Sequence, residues 1–117
     1  MMAVGKLSEV VIDCRDCDRL AEFWAAVLGG SPVRESAEWV AVTMPDGSTT
    51  VSFQQVPEQK VVKNRVHLDV LVEDLEQAAT RCAELGATRI SDRRGDSLGD
   101  FIVLRDPEGN EFCVVTN

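Results

Sequence analysis

The sequence predicts an α+β fold of two βαβββ modules in one domain, with curved mixed sheets forming a cleft and the helices on the outside. Three observations carry that expectation. One order of strand-like and helix-like segments occurs twice, matching punctuation residues recur in both halves, and alternate strand residues sort into an apolar and a polar set.

The first module, about residues 6–56, opens with an alternating strand from Leu7 to Asp13. Asp16 then caps a helix whose apolar residues Leu20, Phe23, Trp24, Val27 and Leu28 repeat at helical spacing, and Gly29 and Gly30 end it. Three strands should follow, weak at Pro32–Glu35 and clear at Trp39–Met44 and Thr50–Val56, the last two joined by a turn at Pro45–Ser48. A polar linker spans residues 57–65. The second module, about 66–117, repeats the plan with a strand at Val66–Val72 and a helix capped by Asp74, with Gln77 three residues on. That helix is buried through Leu75, Ala78, Ala79, Cys82 and Leu85 and ended by Gly86. Its later strands are Thr88–Ser91, Asp100–Arg105 and Glu111–Val115, with a matching turn at Asp106–Asn110. Asp16 thus answers Asp74, Gly29 answers Gly86, and Pro45–Gly47 answers Pro107–Gly109. Neither half, at roughly 55 residues, buries enough apolar surface to be comfortable alone, so both are read as one domain.

Composition narrows the function classes. The 117 residues are 44% hydrophobic and 27% charged, the balance of a globular domain. Twelve Lys and Arg against twenty Asp and Glu leave a net charge of −8, a field that repels nucleic acid and anionic lipid and favours cationic or neutral partners. No opening apolar run suits a signal peptide and nowhere do about 18 apolar residues follow one another, so the protein reads as cytoplasmic with no membrane partner. The four cysteines are then expected as thiols. Cys14 and Cys17 form a C-x-x-C, but no second pair completes a zinc ribbon, and Asp13, Asp16 and Asp18 oppose thiolate formation. Cys82 falls on a helix's apolar stripe.

Sorting the strands by face leaves a small polar set away from the helices. Val10 and Ile12 oppose Glu9, Val11 and Asp13, and Val66, Leu68, Val70 and Val72 oppose His67, Asp69 and Leu71. With Phe53 and Phe112 in the core, Gln54 and Cys113 take the opposite face, and Val40, Val42, Ile102 and Leu104 send Trp39 and Phe101 there too. If the halves curve around a common cleft, Glu9, Gln54, His67 and Cys113 meet beside two aromatics, as ligand pockets require. A Ser-His-Asp triad could use only His67, which has no nucleophile elbow nearby, and no Gly-rich phosphate loop precedes either helix. The mixed-charge stretch Asp92–Asp96 reads as a solvated loop.

Taken together, AEFWAAVLG at Ala21–Gly29, VKNRVHLDV at Val62–Val70 and DPEGNEFCV at Asp106–Val114 make the chain resemble the vicinal oxygen chelate superfamily along nearly its whole length. This is the glyoxalase, bleomycin-resistance and dioxygenase group, and the likeness is narrower to its small bacterial glyoxalase-like proteins. The resemblance implies a small-molecule ligand, a homodimer, and one divalent ion (Zn, Mg, Mn, Fe or Ni) held by His, Glu or Gln, although bleomycin-resistance proteins use no metal. Carried over residue by residue, the metal places fall on Glu9, Gln54, His67 and Cys113. Only His67 keeps the commonest residue type, while Glu9 stands for a His, Gln54 for a Glu and Cys113 for an acid. Glu111, two residues earlier on the same face, could take the acid's role.

Three functions follow as expectations. A metal-dependent lyase, isomerase or dioxygenase would use Glu9 or Glu111 to carry a proton. A sequestering protein would stack a cationic or aromatic compound on Trp39 and Phe101 and contact it through Gln54, His67 and Cys113. A regulatory module whose site has decayed is the third. Without a metal, Glu9, Gln54 and His67 bond one another or water, with Asp69 or a backbone carbonyl orienting the imidazole.

Overall fold

A computed structural model describes residues 2–96 and 99–116; residues 97, 98 and 117 of the expected second module lie outside that range. The chain divides into two compact units between Gln59 and Lys60. Each has a mixed sheet and one helix.

In the first unit, β1 (Glu9–Cys14), α1 (Cys17–Leu28), β2 (Ser31–Ser36), β3 (Trp39–Thr43) and β4 (Thr50–Gln55) follow one another, and the sheet order is β1-β4-β3-β2. β1 runs parallel to β4 and the other pairs are antiparallel. α1 starts where the Asp16 side chain accepts the Arg19 N–H at 3.1 Å. It buries Cys17, Leu20, Ala21, Phe23, Trp24 and Ala25 against the sheet, with Phe23 and Trp24 edge-to-face at 5.3 Å. Val27 and Leu28, also expected in the core, are only half-buried, because the helix ends beside them at Gly29. The sheet contributes Val40, Val42, Val51 and Phe53 to this layer. Cys14 and Cys17 are buried free thiols, Cys14 donating to the Gln54 carbonyl and Cys17 to Gln55 Oε1.

In the second unit, β5 (Asp69–Leu71), α2 (Leu75–Leu85), β6 (Thr88–Arg89), β7 (Arg94–Asp96), β8 (Gly99–Arg105) and β9 (Glu111–Val115) give the order β5-β9-β8-β6, with β7 also on β8. Asp74 caps α2 by accepting the Gln77 N–H at 3.0 Å. Leu75, Ala79 and Cys82 of the helix pack on Ile102, Leu104, Phe112 and Val114. Burial pushes the Cys82 thiol above its ordinary value, as suits a small core residue.

Two expectations change here. The strand expected from Val66 begins only at Asp69, and Val66 is 77% exposed rather than on the apolar face. Asn64 supplies the reason. Its side-chain amide donates to the Glu111 carbonyl at 3.0 Å and accepts the Glu111 N–H at 2.8 Å, taking the bonds a longer β5 would have made. The second change is at Asp92–Asp96, where Arg94–Asp96 form a strand on β8 instead of remaining loop, and the Arg93 guanidinium grips Asp100 at 2.5 Å.

The matched turns repeat closely. Gly47 N–H bonds Met44 at 3.1 Å and Gly109 N–H bonds Asp106 at 2.9 Å, each closing a turn with Pro second and Gly last at positive φ, 73° and 86°. No helix among the described residues is long and apolar enough to cross a membrane.

Candidate functional site

Strand alternation places the chemistry on each sheet's face away from its helix, and the ladder registers say which residues are neighbours there. On the first sheet, Glu9 pairs with Thr50, Val11 with Ser52 and Asp13 with Gln54, while Ala41 pairs with Ser52 and Trp39 with Gln54. Trp39 and Gln54 are therefore brought together. Glu9 and Gln54 are not. Four residues of strand separate their levels, roughly 14 Å between Cα atoms. Two side chains of this length leave several ångströms between their oxygens, more than two ligands on one ion tolerate.

Ser52 lies at the centre of that face, wholly buried although it points away from α1. Among the described residues its hydroxyl has no hydrogen-bond partner, and neither do the buried Glu9 Oε1 and Trp39 Nε1. Buried polar atoms are rarely left so. Sequence reasoning passed over Ser52, although its place in the alternation Thr50-Ser52-Gln54 was the available signal.

On the second sheet, Asp69 pairs with Cys113, Val103 with Cys113 and Phe101 with Val115. His67 precedes Asp69 by two residues, and its Nε2 lies 3.2 Å from Asp69 Oδ1. One ligand atom each from His67, Asp69 and Cys113 falls within 4.8 Å of the others. His67 and Asp69 are exposed and Cys113 half-buried. Burial, and then the charges of Asp69 and Glu111, push the Cys113 thiol above its ordinary value. Glu111 shares the face one pleat step away, with Lys63 Nζ at 4.0 Å and Arg105 Nη2 at 3.9 Å. Phe101 lies on this face too, half-buried.

A groove of about 820 Å³ runs along α2, lined by residues such as Val72, Glu73, Ala78, Arg81 and Glu84. It contains none of the residues above, and its Asp74 carboxylate is already committed to the helix cap.

Comparison with known proteins agrees with this architecture. A glyoxalase/bleomycin resistance protein/dioxygenase family enzyme from Burkholderia phytofirmans superposes with a TM-score of 0.81 at 21% identity, over 96% of this chain and 98% of that one. The fosfomycin resistance protein FosX from Mesorhizobium loti gives 0.75 at 21% identity, over 99% and 94%. FosX from Listeria monocytogenes gives 0.78 at 12% identity, over 98% and 95%. Such identities show a shared fold. No curated protein sequence matches this chain. The model of the glyoxalase-like domain family, however, matches residues 9–115, and with it the chain belongs to that family.

Proposed function

We propose that this protein binds a small molecule on the second sheet's face away from α2, through a divalent ion held by His67, Asp69 and Cys113. The observation that carries this reading is the convergence of imidazole, carboxylate and thiol within 4.8 Å on one face. The donor set fits a borderline-soft ion. Nitrogen, sulfur and one carboxylate oxygen suit zinc, and iron or nickel next, while the thiolate disfavours magnesium and manganese. Three protein donors leave a position free for a ligand, as catalytic zinc sites do. An ion there would polarise a ligand oxygen.

The chain's own residues do the rest. His67 Nε2 and Asp69 Oδ1 already face one another at 3.2 Å. On the same face Phe101 offers aromatic surface and Glu111 a carboxylate one pleat step from Cys113. Glu111 is the proton carrier on this reading. Because Asp69 and Glu111 line this face and the net charge is −8, the ligand is neutral or cationic. We extend to this chain the homodimer that the superfamily resemblance implies, which sedimentation would check.

Cobalt(II) and zinc titration of protein purified without chelator tests the reading. One equivalent should bind, with a thiolate-to-cobalt absorption band that C113S abolishes, and H67A should weaken binding at least tenfold while E9Q and Q54A leave the stoichiometry unchanged. No uptake of either ion would end the metal reading, and fosfomycin binding tighter than a cationic ligand would overturn the charge argument.

A further inference from the structure

The first sheet's face away from α1 presents a second chemistry that needs no ion. Glu9 Oε1, Ser52 Oγ and Trp39 Nε1 are all buried and without hydrogen-bond partners among the described residues. They form a row. Ser52 has Val11 and Ala41 as direct neighbours, Glu9 on one diagonal, level with Thr50, and Trp39 on the other, level with Gln54. Each diagonal step is roughly 7–8 Å between Cα atoms, within reach of long side chains.

The row is ordered by hydrogen-bonding type. A carboxylate only accepts, a hydroxyl does both, and an indole N–H only donates. Ser52 and Ala41, the small residues at its centre, are 0% and 3% exposed, while Glu9 and Trp39 at its ends are partly exposed.

We infer that Glu9, Ser52 and Trp39 form a binding site for a compact ligand with an ammonium or other N–H donor at one end and an acceptor oxygen at the other. The donor end meets Glu9, the acceptor end meets the Trp39 indole, and the Ser52 hydroxyl bonds whatever polar atom lies between. A cationic donor is preferred because hydrogen bonds to a carboxylate strengthen with charge, and the net charge of −8 draws cations in. Ligands lacking either end leave one buried group unpaired and are rejected. The site lies wholly in the first unit and stands independently of the metal reading.

The test uses the two tryptophans. Trp24 lies in the core at 1% exposure and serves as the internal reference for Trp39. In ¹⁵N-labelled protein, 4-aminobutanamide should shift the Trp39 indole N–H resonance saturably and leave that of Trp24 in place. Butanamide, lacking the ammonium, and butylammonium, lacking the acceptor, should each bind at least tenfold more weakly. E9Q should weaken 4-aminobutanamide at least tenfold and S52A several-fold, an unmoved Trp24 resonance showing that each variant is folded. The inference is overturned if the probe does not move Trp39 at any soluble concentration, or if butanamide matches it or E9Q binds it equally well. Zinc titration leaves this outcome untouched, so failure of either site is read separately.

Discussion

The two parallel ladders show what the matched halves share and where they part. Glu9 and His67 each stand seven residues before their helix cap, Asp16 and Asp74, so by helix count they are counterparts. The strand pairing disagrees. Gln54 pairs with Asp13, three residues before its cap, and Cys113 with Asp69, five before its own, so the second ladder is slid by two residues. A slide of two keeps every side chain on its face and changes only its neighbours. His67 thereby comes within one pleat step of Cys113, whereas Glu9 stays two steps from Gln54. Cores tolerate such a slide because their apolar pattern is unaltered, and the open faces acquire different chemistry from it.

The comparison breaks first if the cores are not equivalent. Phe53 and Phe112 occupy matching places and are 0% and 1% exposed. Phe53→Ala and Phe112→Ala should each cost about 3–5 kcal/mol in urea denaturation. A large difference between them would show that one unit, and not the other, governs stability.

The turns sharpen it further. Asp106 is buried and accepts the N–H groups of Glu108 and Asn110, each at 2.9 Å, together with the Asn110 side chain. Asp46 of the matching turn is exposed and bonds Ser48 N–H at 2.9 Å. Asp106→Ala should lower stability by about 2–3 kcal/mol because it strands buried donors. Asp46→Ala should leave the denaturation midpoint where it is.

Much of this fold was legible because it rests on local signals. Aspartates at helix starts, glycines past helix ends and Pro-acid-Gly turns act within a few residues of themselves. The open faces were legible as faces, since alternation needs only the strand's own sequence, and Trp39 and Gln54 do stand side by side. Neighbour relations across a ladder were not, because register depends on pairing between distant segments. Asn64 illustrates the limit: nothing near it in sequence announces that its amide replaces three residues of strand against Glu111. The same blindness hid Ser52, whose burial comes from tertiary surroundings.

The second face should respond to pH in a way the first does not. Cys113 is raised above the ordinary thiol value, so near neutrality it carries a proton that an incoming ion must displace. Zinc affinity should therefore rise about tenfold per pH unit between pH 7 and 8, the slope expected for one released proton. C113S should flatten that slope, and E9Q should not alter it. A flat profile in the unaltered protein would remove Cys113 from the ligand set.

The smallest effect separates the units most cleanly because it should change sign between them. Among the described residues each unit buries one serine, Ser52 and Ser91, at 0% and 8% exposure. Ser91 is fully engaged, its hydroxyl donating to the Asp92 carbonyl at 2.9 Å and accepting the Val103 N–H at 3.0 Å. Ser52 has no partner for its hydroxyl among the described residues. Removing the Ser91 hydroxyl leaves two backbone groups unpaired, so Ser91→Ala should cost about 1–2 kcal/mol. Removing the Ser52 hydroxyl relieves a desolvated group and leaves none behind, so Ser52→Ala should stabilise the ligand-free protein by up to about 1 kcal/mol. Measured side by side, opposite shifts of the urea midpoint would mean that the first unit holds a polar group for something other than folding, as a binding residue does. Equal losses would mean that Ser52 is satisfied within the folded chain, and the row it centres would lose its middle member.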